Sequence, residues 1–449
     1  MPESREAVPA PTAGYRQQPA PDQPVGPATP LAPARRIWPA AWPVTAVFVL
    51  SNATTPLYQV WQHEIGFSQG TLTVIFAFYI VGLLGSLLIS GIASDRLGRR
   101  PVLLPALALG VAACLIFATA TTVPALMVAR LFSGIAVGAV VSAGMAAVTD
   151  VAGPGRERSA ALLASCAMVF GAGLGPLLAG VLSETAPAPT VTVFMVEIVL
   201  LTTAFLVVLR MPLPRREAPE RGAWVRIPSV PHDARRHLGL GIAVFAPGIT
   251  ATSFVLSLGP SLLTGLLGTT SRITAGAMAF AMFLAATGVQ FAVRRLERRT
   301  ILTAGAVTIA LGVVALVTAV RTASVAMLAV SVLLAGAGQG MGQLGGLSLL
   351  NSAVPPQRLA EANAALNVGG YVPAGILPVS VGYLSDAVGL TAGTTAFAGV
   401  LATSAVMGGL LVLTSRLHEP GQGRAEPSSA PRLPAPQHRR PHDAPGDRG

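Results

Sequence analysis

The sequence predicts an all-α membrane protein of twelve transmembrane helices, arranged as two six-helix bundles related by a pseudo-twofold axis. Three observations predict it: apolar runs of about 20 residues recur along the chain, arginine alternates between the loops joining them, and residues repeat at an offset of 202. The composition agrees, because 52% of the residues are hydrophobic and 11% are charged, whereas a soluble domain carries roughly a quarter charged.

The first 36 residues are rich in Pro, Ala and Gln and have no apolar stretch of the signal-peptide kind. Residues 1–37 therefore read as a disordered cytoplasmic tail, and 417–449, equally Pro-rich, as a second one. The amino-terminal half, 38–210, holds spans at 38–61, 70–94, 101–120, 123–149, 157–183 and 190–210. A linker at 211–237 contains five prolines, and the second half, 238–416, holds spans at 238–264, 272–293, 300–319, 324–350, 359–385 and 391–415. Backbone groups in lipid must be satisfied within the segment, and the runs lack the alternation of barrel strands, so each is expected to be helical. Cys114 and Cys166 fall inside spans and read as packing residues rather than a disulfide.

The formal charge is +11, and every Lys/Arg position is Arg. These residues are not gathered with aromatics into a nucleic-acid patch. With both chain ends placed inside, 27 of the 30 arginines fall on the cytoplasmic side, Arg272 and Arg321 lie outside, and Arg130 lies within a span. The expectation is a multi-pass inner-membrane protein with both termini cytoplasmic, and an odd number of spans would scramble this alternation.

The repeat joins the two halves. An offset of 202 places Gly134, Gly138 and Gly144 on Gly336, Gly340 and Gly346, and Pro154 and Arg156 on Pro356 and Arg358. It also carries Gly173, Pro176, Gly180, Leu182, Ser183 and Glu184 onto Gly375, Pro378, Gly382, Leu384, Ser385 and Asp386. Parallel duplicated halves imply an axis along the membrane normal and a site between them near the midplane.

The loop after the second span, with Gly91, Asp95, Arg96, Gly98, Arg99 and Arg100, resembles the signature loop of the major facilitator superfamily. Gly98 permits a tight turn. The resemblance implies that Asp95 docks at the cytoplasmic start of the eleventh helix, whose positive dipole end attracts a carboxylate, and so latches the inner gate in an outward-facing state. Asp150 ends the fourth span on the same face, within reach of Arg96 or Arg99; the alternative is that these charges only fix topology and interact with lipid headgroups. The second copy of the loop has Arg294 and Glu297 where the first has Asp95 and Gly98, which argues against a symmetric second latch.

In the fifth span, Gly171, Gly175, Pro176 and Gly180 resemble the glycine-proline motif of the drug/proton antiporters of this superfamily, although packing alone also explains small residues in a membrane bundle. Arg130 followed by Gly134 resembles its fourth-helix motif. A buried Arg needs a partner or hydration, and Glu197 is the one acid well inside a span, about 10 Å deep at 1.5 Å per residue like Arg130. The two are expected to pair, serving either proton coupling or static cohesion of the fourth and sixth spans, with separate snorkelling charges as the alternative. The first span has no acid and offers Asn52, Thr54, Thr55, Tyr58 and Gln59, which favours neutral or anionic cargo over lipophilic cations.

By family analogy the cavity is lined by Asn52, Thr55 and Gln59 with Thr250, Ser253, Gln339, Gln343, Asn367 and Tyr371. The function expected is secondary active, proton-coupled efflux of small organic compounds by alternating access. An uptake symporter on the same fold and a non-transporting membrane sensor are the alternatives. No phosphate loop, HExxH or metal-spaced His/Cys cluster occurs, so neither an enzyme, a cofactor nor a metal is expected. The partners expected are a small-molecule substrate, protons and the lipid bilayer, with no nucleic acid, and the chain is expected to act as a monomer.

Overall fold

The computed structural model describes residues 37–153, 155–213, 229–265, 268–355 and 358–415. The tails and most of the linker expected at 211–237 lie outside these residues. Among the described residues every long element is a helix, and eleven are long and apolar enough to cross a membrane.

The remaining crossing, α1, is Ile37–Ala53, and the span expected at 38–61 is not one continuous helix. Pro56 has no N–H and disfavours helical geometry at the residue before it. The chain passes through a 3-10 turn at Thr55–Leu57, resumes as Tyr58–Trp61, and ends in a π turn at Gln62–Gly66. The other helices of the first half are α2 (Gln69–Leu97), α3 (Arg100–Thr119), α4 (Val123–Ala152), α5 (Glu157–Thr185) and α6 (Pro189–Arg210). Those of the second half are α7 (Arg235–Gly265), α8 (Arg272–Val293), α9 (Arg298–Thr322), α10 (Val325–Ala353), α11 (Leu359–Val388) and α12 (Leu390–Thr414). Within α4 a π turn at Val140–Gly144 interrupts the regular ladder.

The duplication seen in the residues reappears as packing. A Cβ on Gly134 would sit 2.2 Å from the Tyr79 carbonyl oxygen, and one on Gly138 would sit 2.7 Å from that of Leu83, so α4 lies directly against α2. In the second half, Gly336 and Gly340 press α10 onto α8 at the Met282 and Ala286 carbonyls, at 2.2 and 2.1 Å. Side-chain-free contact lets two helix backbones approach closely where lipid gives no hydrophobic reward for association. A second repeated feature lies at the Arg-rich face: Arg100 donates to the Met211 carbonyl after α6, and Arg299 donates to the Leu413 carbonyl in α12. Each guanidinium thereby meets the negative end of its own bundle's last helix.

The bundles meet along two seams, α2 against α11 and α5 against α8. Cys114 is buried as expected, whereas Cys166 is exposed on α5 and takes no part in the core.

Candidate functional site

At the heart of the first bundle, Arg130 is completely buried. Its Nε donates to the Tyr58 hydroxyl at 2.7 Å, its Nη2 donates to the same oxygen, and its Nη1 donates to the Ser51 carbonyl at 2.8 Å. Ser51 lies in the last turn of α1, where carbonyls lose their intrahelical donors, so the break ahead of Pro56 supplies the acceptor. The rings of Tyr58, Phe76 and Tyr79 lie 5.2, 5.5 and 5.5 Å from the guanidinium carbon, a cation–π environment that suits a desolvated Arg.

The pair expected between Arg130 and Glu197 is not formed. Glu197 is 1% exposed, and neither of its carboxyl oxygens has a hydrogen-bond partner among the described residues. Equal depth says nothing about direction around a helix axis. Arg130 shares its face with Gly134 and Gly138, at one and two turns, and that face is turned to α2. Glu197 sits on α6, which packs against α3 and α1. Phe194, on the same face one turn earlier, stacks on Phe117 at 4.8 Å and on Trp61 at 5.9 Å.

The signature loop forms a charge cluster within the first bundle. Arg99 Nη1 donates to Asp95 Oδ1 at 2.9 Å and to Ser94 Oγ at 2.8 Å, while its Nε donates to Asp150 Oδ2 at 2.9 Å. Burial opposes the Arg99 charge, but the hydrogen bonds to Asp150 and Asp95 outweigh it and hold the guanidinium above its usual pKa. Gly98 turns the chain at φ +93°, where a side chain is strained. A cavity of about 440 Å³ separates this cluster from α11, with Gly91, Asp95, Arg99 and Ser142 on one wall and Ala360, Asn363, Asn367 and Val368 on the other. In this conformation the space between the Asp95 side and α11 is open at the Arg-rich face.

The motif residues of α5 are packing residues here. Cβ atoms on Gly171 and Gly175 would strike the Thr45 and Val49 carbonyls of α1, and one on Gly180 would strike the Arg272 carbonyl of α8. The Pro176 carbonyl lies 2.2 Å from a Cβ built on Gly276 of α8.

The expected cavity residues lie in several different settings. Asn367 lines the open cavity. Asn52 is spent within the first bundle on Ser51 Oγ and the Ala172 carbonyl. Gln59 bridges the halves at the Arg-poor face, donating to Ser261 at 2.9 Å and accepting from Thr264 at 3.1 Å. Gln339 donates to Gln343 at 3.1 Å. Thr55, Thr250 and Ser253 are buried, and the Thr55 and Thr250 hydroxyls have no partner among the described residues. Tyr371 packs edge-on against Phe245.

Sequence reasoning missed Phe76 and Tyr79, whose spacing from Gly82 on α2 gave no polar signal. It missed Ser51 because a backbone carbonyl has no signature. It also left Glu184 and Asp386 as marks of the repeat without a role.

A family model described as Major Facilitator Superfamily matches residues 41–297 and 238–442. A stretch of 104 residues is 36% identical to the 3-(3-hydroxy-phenyl)propionate transporter of Escherichia coli (strain K12); it spans 23% of this chain and 26% of that protein. Among solved structures, a bacterial homolog of the human lysosomal transporter Spinster, inward-facing and unoccupied, superposes with a TM-score of 0.66 at 14% identity, covering 86% of this chain and 98% of that one. The nucleoside transporter NupG gives 0.65 at 13%, covering 84% and 98%. The human organic anion transporter MFSD10 gives 0.60 at 19%, covering 85% and 99%. The family match spans both bundles, and the twelve-helix fold and its duplicated packing agree with it: the chain is a multi-pass membrane transporter that belongs to the Major Facilitator Superfamily.

Proposed function

We propose that the chain is a proton-coupled secondary transporter of small organic compounds that prefers anionic or neutral cargo and works by alternating access between its two bundles. The observation that carries this reading is Arg130, a buried cation held by a phenol, a carbonyl and three aromatic rings with no carboxylate against it among the described residues. Its uncompensated charge favours an anion at the adjoining midline and repels a lipophilic cation. The aromatic carboxylate named for the Escherichia coli relative and the organic anions named for the human neighbour support the same cargo class.

The Arg-rich face, at which the described residues begin with Ile37 and end with Ser415, is taken as cytoplasmic, in the inner membrane, and the monomer as the working unit. The direction proposed is export, on the likeness of α5 to the antiporter motif. Uptake is the second reading, because packing on α1 and α8 accounts for the α5 glycines without any reference to direction. Glu197, the acid buried within a span, is the proposed proton-responsive group, acting apart from Arg130.

The test is a pair of vesicle preparations carrying a proton gradient, offered phenylpropionate-type carboxylates, a neutral analogue and a lipophilic cation. Gradient-driven accumulation of the carboxylate in inverted vesicles supports export, and accumulation in right-side-out vesicles supports uptake. Preference for the cation in either would end the charge argument. Full proton-driven transport by Glu197→Gln would remove the coupling role of that residue.

A further inference from the structure

Two hydrogen-bond patterns at the Arg-poor face repeat one another across the halves. The N-cap Ser68 leads into α2 with Gln69, Gly70 and Thr71, and the N-cap Ser271 leads into α8 with Arg272, Ile273 and Thr274, an offset of 203. Each helix already has a cap from its own half: Ser68 Oγ accepts from Thr71 N, and Ser271 Oγ accepts from Thr274 N, both at 3.2 Å. The Ser68 and Ser271 carbonyls accept the next amides, those of Leu72 and Ala275.

The first two amides of each helix remain, and these are met from the opposite bundle. Asp386, at the end of α11, accepts from Gln69 N through Oδ1 and from Gly70 N through Oδ2, both at 2.9 Å. Glu184, at the end of α5, accepts from Ile273 N at 3.0 Å, with the Arg272 amide and the Ser271 hydroxyl beside it. Asp386 and Glu184 are the repeat partners found in the sequence. One turn before each acid, on the same helix face, stands a repeat-related glycine. A Cβ on Gly382 would lie 2.8 Å from the Gln69 carbonyl, and one on Gly180 would lie 2.5 Å from that of Arg272.

We infer that Glu184 and Asp386 are a twofold-related pair of latches, each closing the Arg-poor face by capping the other bundle's helix N-terminus, and that both must release for that face to open. A carboxylate against a helix N-terminus is favoured by the dipole and by the unpaired amides. Each helix keeps a serine cap of its own on its third amide, so the acids meet only the amides that remain and, in doing so, tie one bundle to the other. The glycine one turn earlier brings the backbones close enough for a short acid to reach. While these latches are shut, the cavity between α2, α4 and α11 is open at the other face. This inference goes beyond the proposed cargo and needs none of it.

The test uses the full chain with Cys114→Ala and Cys166→Ala, spin-labelled across one seam at Glu64→Cys and Thr391→Cys and across the other at Pro187→Cys and Thr270→Cys, all exposed positions. Distances are read by double electron–electron resonance without substrate. Asp386→Asn or Glu184→Gln is expected to raise the population with the Arg-poor face open about threefold, and the double variant about tenfold. The charge-retaining Glu184→Asp and Asp386→Glu should give smaller changes. Monodisperse variants with parental distance distributions would overturn the latch, as would opening of one seam alone in the double variant. Should the double variant fail to fold, the two single variants carry the same test. Because no cargo enters the measurement, its failure would leave the proposed function standing.

Discussion

Adding one methyl group at Gly134 should destabilise the first bundle, and the same change at Gly336 should destabilise the second by a similar amount. A Cβ at either position would lie 2.2 Å from a carbonyl oxygen of the facing helix, Tyr79 on α2 or Met282 on α8. Both obstacles are backbone, so no rotamer change relieves them, and the helices must separate by about 1 Å to reach ordinary contact. Overpacking of this kind costs about 3 kcal/mol at the upper end of its usual range. Alanine returns about 1 kcal/mol through its better helix propensity. The net loss is about 2 kcal/mol, a factor of roughly 30 in the folded-to-unfolded ratio. Gly85 and Gly288 are the controls, because a Cβ there meets nothing within 4 Å; Gly85→Ala and Gly288→Ala should gain part of the propensity term and lose nothing. Reversible unfolding in mixed micelles, followed by tryptophan fluorescence, measures all four. If Gly134→Ala and Gly336→Ala prove no less stable than the two controls, close backbone contact is not what joins α2 to α4 or α8 to α10.

Arg130→Lys should reduce transport by at least about tenfold while the protein still folds, because an ammonium cannot engage Tyr58 and the Ser51 carbonyl with a planar fork; initial-rate uptake into vesicles checks it, and parental rates would refute it. Glu197→Leu breaks no hydrogen bond and removes a carboxyl whose ionised form would be costly to bury, so its unfolding midpoint should equal or exceed that of the parent. A fall of more than about 1 kcal/mol would reveal a partner for Glu197. Gly98→Ala must adopt φ +93°, and should lose about 1–2 kcal/mol in the same unfolding assay; an unchanged midpoint would show that the loop relaxes freely.

The twelve crossings were legible because hydrocarbon tolerates few alternatives: apolar runs of the right length must satisfy their backbones as helices. The duplication was legible for a related reason, since Gly134 and Gly336 cannot grow a side chain without driving two helices apart. Within the site, Arg130 was identifiable as a buried cation, but its partner was misassigned to Glu197 because that was the one acid well inside a span and lay at the same depth. The orientation signal was in fact present at Gly134, one turn from Arg130 on a face that must lie against another helix. Pro56 gave the break in α1, yet not the use made of the carbonyl that the break frees.

By itself, then, the sequence determined the number of spans, their alternating charge and their two-part symmetry, all of which follow from local hydrophobicity and from residues compared along the chain. Tertiary structure alone decided which faces meet: that Arg130 turns to Tyr58 and Ser51, that Glu197 stands alone among the described residues, and that Asp386 and Glu184 reach into the opposite bundle. Those choices depend on helix rotation and on amides and carbonyls that every residue possesses, and a letter sequence does not distinguish one backbone group from the next.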